Sequence, residues 1–344
     1  MSTSAESTCM FREAAQSPEV VRTQLAANGT RIAALAERLR RSPPRAVVTC
    51  ARGSSDHATT FARYLIETRL GLLTSSAAPS VSSVYEAAPD LAGTLMLALS
   101  QSGASPDILA VAARARAAGA YVVALVNAPD SPLAQLADEL LPLHAGAERS
   151  VAATKSYIAS LAAIVQLVAA WTQDAPLGAA LQGAPERLAR AWDLDWSAAL
   201  PALTAASSLY VIGRGLGLGV AQEAALKFKE TCGLHAEALS AAELRHGPMA
   251  LVRSGFPLLL FTQNDESRAG VAKLAAELSE QGAAVFVAGA RVARTIELPT
   301  EAADPVIEPL LFAQSLYRLA NALALARGHD PDTPPHLSKV TETI

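Results

Sequence analysis

One strand–loop–helix pattern occurs twice in the chain, about 163 residues apart, and this repeat limits the architectures open to it. The apolar run Thr94-Leu95-Met96-Leu97-Ala98-Leu99-Ser100 breaks into Gln101-Ser102-Gly103-Ala104-Ser105-Pro106-Asp107. Adding 163 lands on Pro257-Leu258-Leu259-Leu260-Phe261-Thr262-Gln263, which breaks into Asn264-Asp265-Glu266-Ser267. Residues 119–124 fall on 282–287 in the same register, and 48–53 fall on 210–215 at an offset of 162. A supersecondary unit repeated within 344 residues implies two domains of roughly 150 residues each.

The strands of the repeat are apolar throughout and alternate with helix-like stretches such as 58–68 and 108–118. Strands of that kind are buried on both faces, so the expected class is α/β, a parallel sheet covered by helices on each side in both copies. The expected division is a tail with helices over 1–45, a first domain over 46–195, a second over 196–327 and a C-terminal tail over 328–344. Residues 1–12, rich in Ser and Thr, read as disordered. Val21, Leu25, Ile32, Leu35 and Leu39 mark a helical region over 18–41, broken near Asn28-Gly29. Pro331, Pro334 and Pro335 make the tail extended.

Half of the chain is apolar and its net charge is −4, which argues against nucleic acid and against a polybasic membrane anchor as partners. The uncharged run 156–171 is shorter than the about 20 residues a bilayer needs, and predicts a buried helix. Cys9, Cys50 and Cys232 lack metal-type spacing, and the six histidines form no ligand motif, so no metal site, no cofactor and a reduced, cytoplasmic setting are expected.

Ligands of an open parallel sheet sit beyond the carboxyl ends of its strands. There the first copy places Ser100, Gln101, Ser102 and Ser105, with Ser105-Pro106 reading as a helix start. A helix start offers unpaired N–H groups, and Gly103 lets the backbone come close to a ligand. Arg52-Gly53-Ser54-Ser55, after the preceding strand, is a second hydroxyl-bearing loop at the same edge. The second copy carries Asn264-Asp265-Glu266 and a run of glycines without hydroxyls, so one anion site per chain is expected, in the first domain. The glycines at 213, 215 and 217 lack the G-x-G-x-x-G spacing of a dinucleotide site.

Glu223, Lys227 and Glu230 stand at i, i+4 and i+7 on one helix face. By spacing alone this is a solvated ladder worth a few tenths of a kcal/mol per pair. His246 precedes a Gly-Pro turn in Glu243-Leu244-Arg245-His246-Gly247-Pro248.

Taken together, Ser100-Gln101-Ser102-Gly103, the stretch Glu223 through Glu230, His235-Ala236-Glu237 and the His246 segment resemble the tandem sugar-isomerase (SIS) domain family, which includes the isomerase half of glucosamine-6-phosphate synthase. The resemblance covers almost the whole chain. It implies two tandem flavodoxin-like three-layer αβα sandwiches, paired into a homodimer whose active site is shared between subunits, and a hexose 6-phosphate or amino-hexose 6-phosphate as ligand. It implies that Ser54, Ser55, Ser100, Gln101, Ser102 and Ser105 hold the phosphate, with Gly53, Ala153 and Glu223 near the sugar. Glu230 matches the carboxylate that moves a proton between C1 and C2, and Lys227 a lysine beside it. His246 matches a ring-opening histidine from the neighbouring subunit, and Lys339 a lysine that forms an imine with an open-chain ketose.

There are departures. Only about 45 residues precede the first strand, too few for the glutaminase domain of the synthase. Ser54, Ala104 and Ala153 replace a threonine, a glutamate and a serine of that enzyme. The expected activity is deamination of glucosamine 6-phosphate to fructose 6-phosphate. Alternatives are another phosphosugar isomerase, a galactosamine-phosphate deaminase, a fructosamine-phosphate deglycase, or a phosphosugar-sensing module without turnover.

Overall fold

The computed structural model describes residues 5–87 and 89–339. Strands β1 (Val47–Cys50), β2 (Thr74–Ser76), β3 (Leu95–Ser100), β4 (Tyr121–Val126) and β5 (Glu139–Pro142) form a parallel sheet in the order β2-β1-β3-β4-β5. Strands β6 (Ser208–Gly213), β7 (His235–Ser240), β8 (Pro257–Phe261), β9 (Ala284–Ala288) and β10 (Ile296–Leu298) form a second, in the order β10-β9-β8-β6-β7. Taken from the other edge the two orders are identical, the 2-1-3-4-5 winding of flavodoxin-like folds.

The register corrects the repeat by one residue at β8. Thr49, Leu97 and Val123 lie side by side in the first sheet, and Val211, Leu259 and Phe286 in the second, so β3 and β8 correspond at an offset of 162, whereas the sequence repeat pairs Leu97 with Leu260. Every residue of β3 and of β8 is buried, as the unbroken apolar runs require.

The cores repeat too. Met96, Ala98, Val122 and Ala124 pack under Ile108, Val111, Ala112 and Ala115 of helix Pro106–Ala117. Ile212, Leu258, Leu260, Val285 and Val287 pack under Val271, Leu274 and Leu278 of helix Arg268–Glu280. Each large aliphatic side chain buried in this way contributes about 1.5–3 kcal/mol.

The chain divides into two compact units. Among the described residues, one holds 19–148, 156–182 and 338–339, and the other 5–18, 149–155 and 183–337. The division at 182/183 precedes the boundary expected near 196 because helix Ala184–Trp192 is fastened to helix Glu308–Ala326. Ser315 Oγ donates to the Ala191 carbonyl at 2.8 Å, and the Arg318 guanidinium to that of Trp192 at 2.9 Å.

Two local expectations are corrected. Helix Ser17–Arg41 runs unbroken through Asn28-Gly29, because Asn28 is buried and its Nδ2 donates to the Pro142 carbonyl at 2.8 Å. Residues 5–14 are ordered as a short turn, Ala5–Ser7, and a helix, Cys9–Ala14. Thr8 Oγ1 caps that helix by accepting from Phe11 N at 3.1 Å, and the Asp332 carboxylate accepts from Cys9 N at 2.6 Å and Met10 N at 2.7 Å. The proline-rich tail thus anchors a segment whose composition suggested disorder. Helix Lys155–Thr172 meets the length and hydropathy test for a membrane span, yet 83% of it is buried inside the protein. It is a core helix.

Candidate active site

In the first unit the carboxyl ends of β1 and β3 are adjacent, and the chain turns opposite ways from them. Helix Gly53–Leu70 starts directly after Arg52, so Ser54 and Ser55 stand in its first turn. After β3, Ser105 is the N-cap of helix Pro106–Ala117. Two helix starts, each a positive dipole end, therefore face one edge of the sheet.

The hydroxyls between them are committed only in part. Ser100 Oγ accepts from Gly103 N at 3.0 Å and Ser102 Oγ from Ala104 N at 3.3 Å, so each shapes the loop with a lone pair and retains its proton to donate. The Ser105 side chain makes no capping bond to its own helix. Gly103 has φ +63°, and a Cβ there would lie 2.1 Å from Ser131 Oγ, so the turn requires glycine. Arg52 Nε donates to the buried Asp107 carboxylate at 2.7 Å, fastening the first loop to the second helix start. Burial, with Asp107 nearby, pushes the Cys50 thiol up to about 12.

In the second unit the equivalent edge is filled by its own side chains. Gln263, which the sheet register puts at the position of Gln101, is fully buried. Its Nε2 donates to the Arg214 carbonyl at 2.6 Å, to Asp265 Oδ2 at 2.9 Å and to Ser267 Oγ at 3.1 Å. Asp265 Oδ1 accepts from Ser267 N and Oγ at 2.9 and 2.6 Å, and Glu308 Oε2 from Asn264 N at 2.6 Å. The glycine run is explained by packing: a Cβ on Gly217 would lie 2.4 Å from Gln263 Oε1, and one on Gly213 would lie 2.3 Å from the Gly217 carbonyl oxygen. A cleft of about 1020 Å³ beside this loop is walled by Asp265, Glu266, Arg268, Arg291 and Glu297. Arg291 already pairs with Glu297 at 3.0 Å, and Arg268 donates to Asn264 Oδ1 and the Gly289 carbonyl, both at 2.7 Å.

The Glu223, Lys227 and Glu230 ladder lies on helix Gly217–Cys232, and it is not solvated. The side chains of Glu223 and Lys227 are 0% exposed, while that of Glu230 is 20% exposed. Lys227 Nζ donates to Glu230 Oε2 at 2.6 Å and lies 3.5 Å from Glu223 Oε1. Tyr317 Oη, from helix Glu308–Ala326, donates to the same Glu223 oxygen at 3.0 Å. Removing one member of a buried ion pair costs about 3–5 kcal/mol, far above the surface value that the spacing suggested. Glu223 has no exposed side-chain surface.

His246 is exposed and ends the turn Glu243–Arg245, its N–H donating to the Glu243 carbonyl at 2.9 Å. Lys339 belongs to the unit with the serine loops, and its Nζ lies 3.2 Å from Oε2 of the buried Glu148. Glu148 also accepts from Ser156 N at 3.2 Å and Ser156 Oγ at 2.7 Å. Ala153 is half-buried in the segment 149–155, which belongs to the other unit.

Residues 41–170 and 202–288 match the SIS domain family. The chain belongs to that family. A glutamine–fructose-6-phosphate aminotransferase of Aeropyrum pernix is 35% identical over 83% of this SIS chain, which spans 49% of that protein. A protein of Silicibacter pomeroyi provisionally named a phosphosugar isomerase is 44% identical, with a TM-score of 0.91 over 94% of this chain and 100% of its own. The C-terminal domain of an aminotransferase from Francisella tularensis is 25% identical, with a TM-score of 0.86 over 95% of this chain and 98% of its own.

Sequence reasoning missed Arg52 with Asp107, Glu148 and Tyr317. Asp107 had a legible signal as an acid in a helix's first turn. Tyr317 had none, since on its helix it looks like one more apolar-face residue.

Proposed function

We propose that this SIS protein is an amino-hexose 6-phosphate deaminase of the isomerase type, converting glucosamine 6-phosphate to fructose 6-phosphate and ammonia. The serine loops at 54–55 and 100–105 hold the phosphate. Once the sugar ring is open, Glu230 takes the proton from C2, and the electron pair forms a C1=C2 bond while O1 gains a proton. Return of a proton to C1 leaves a C2 imine, which adds water and expels ammonia. Lys227 holds the Glu230 carboxylate in place through a 2.6 Å hydrogen bond. His246, supplied by the second subunit of a homodimer, opens the ring, and Lys339, held at Glu148, is the amine that meets an open-chain ketose.

The observation that carries this reading is Glu230, a partly exposed carboxylate 2.6 Å from a fully buried ammonium. The one-sided hydroxyl loops support a phosphate ligand, and the 44% identical relative bears the name of a phosphosugar isomerase.

Incubation with glucosamine 6-phosphate in deuterated water should release ammonia and place deuterium at C1. Glu230→Gln should slow that exchange by about 10²–10⁴-fold with phosphosugar binding retained. Exchange at the wild-type rate in the variant, or ammonia from a different phosphosugar alone, would overturn the assignment.

A further inference from the structure

The hydroxyls and backbone N–H groups of the serine loops are neutral donors, yet the same edge of the sheet carries acid. The ionisable residues of segments 51–57 and 100–107 are Arg52, Asp56, His57 and Asp107, and Arg52 alone among them is a permanent cation. Two carboxylates at an anion site repel an ester unless a cation answers them. Arg52 stands just past the carboxyl end of β1, as the N-cap of helix Gly53–Leu70. Its Nε donates to Asp107 Oδ2 at 2.7 Å, in the first turn of helix Pro106–Ala117. The guanidinium thus bridges the two helix starts that carry the serine loops.

This bridge uses only part of the arginine. A guanidinium has five N–H donors, Asp107 takes the one on Nε, and no described residue accepts from Nη1 or Nη2. The side chain of Asp107 is 1% exposed and that of Arg52 is 53% exposed, so the inner end is fixed while the outer end is open. A fork held in this way meets an anion with little further ordering. Both acids are engaged: Asp107 Oδ1 accepts from Ile108 N at 2.8 Å, and Asp56 Oδ1 from Thr59 Oγ1 at 3.2 Å. The second copy keeps the arginine, as Arg214, but Ala269 and Gly270 stand where the first has Asp107. The pinned arginine therefore accompanies the hydroxyl loops.

We propose that Arg52 is a specificity-determining residue of the anion site, its terminal nitrogens contacting the ester so that the site prefers doubly charged phosphate esters to singly charged sulfate esters of the same sugar. The proposal rests on the phosphosugar reading and adds to it the group that senses the charge of the ester.

Isothermal titration of the full chain with sorbitol 6-phosphate and sorbitol 6-sulfate tests this, since neither ester has a carbonyl to react. At about pH 8 the phosphate is a dianion, and the wild-type chain should bind it at least about tenfold more tightly than the sulfate. Arg52→Gln should weaken phosphate binding by roughly 10–100-fold and sulfate binding by less, so that the preference shrinks. Because Arg52→Gln leaves Asp107 buried without its partner, the double variant Arg52→Gln/Asp107→Asn is measured beside it. That variant keeps the net charge of the edge and both side-chain shapes, and should lose the preference as well. Equal losses for the two esters, or wild-type affinities in the double variant, would show that the arginine only fastens the loops and would overturn the proposal. Failure of the wild-type chain to bind either ester would instead overturn the phosphosugar reading, and this proposal with it.

Discussion

The loops after β3 and β8 leave equivalent strands of equivalent sheets, yet one presents hydroxyls and the other consumes its own polar groups. Ser100 and Ser102 each accept one bond from a loop N–H, and Ser105 leaves its helix uncapped by its side chain. In the second loop Gln263, at the position of Gln101, and Asp265 bond to each other, to Ser267 and to the Arg214 carbonyl. Sheet order and register survive duplication because they depend on apolar runs, which both copies retain. At the strand ends the two copies diverge in the size and charge of a few side chains, and in the second an amide and a carboxylate bond largely within the turn itself.

Placing a carboxylate in the first loop is the strongest way to break the comparison. Ser102→Asp sets a carboxylate where the phosphate is proposed to bind, and should weaken phosphosugar binding by about 3 kcal/mol, roughly a hundredfold. Isothermal titration reads this directly, and wild-type affinity would show that the loop does not hold the ester.

The reciprocal change sharpens the comparison. Asp265→Ala removes the acceptor for Ser267 N and Oγ and should cost about 1–2 kcal/mol of stability in denaturant unfolding. Phosphosugar affinity should not change. If it fell with Asp265→Ala, the second loop would be taking part in binding.

The smallest effect concerns Glu308, which holds the second loop through Asn264 N. Burial raises its pKa above the ordinary glutamate value, with the backbone donors and Arg268 opposing. The folded state therefore binds this proton more tightly than the unfolded chain does. The associated stability is present in full below the ordinary value and is lost as pH rises through the raised one. Unfolding free energy measured across that window should slope downward with pH, and Glu308→Gln should flatten this part of the slope.

The residues differ in how far their roles could be read before folding. The strands at 94–100 and 257–261, the helix start at Ser105-Pro106 and the contrast between the two loops were legible, because each follows from local chemistry: unbroken apolar runs, capping preferences and the sign of charge. The Asn28-Gly29 break was misread because a partner 114 residues away, the Pro142 carbonyl, accepts from the asparagine Nδ2 inside the fold. Residues 5–14 looked disordered because Asp332, at the far end of the chain, supplies the acceptors for their helix start.

The same division holds for the candidate site. Its hydroxyl loops and the i, i+4, i+7 spacing of Glu223, Lys227 and Glu230 are properties of neighbouring residues, and the sequence determined them unaided. Tertiary packing alone decided that this row is buried, that Tyr317 completes it and that Glu148 receives Lys339. Spacing along a helix specifies which side chains share a face, while the environment of that face, and so the strength of every charge on it, is set by what packs against it.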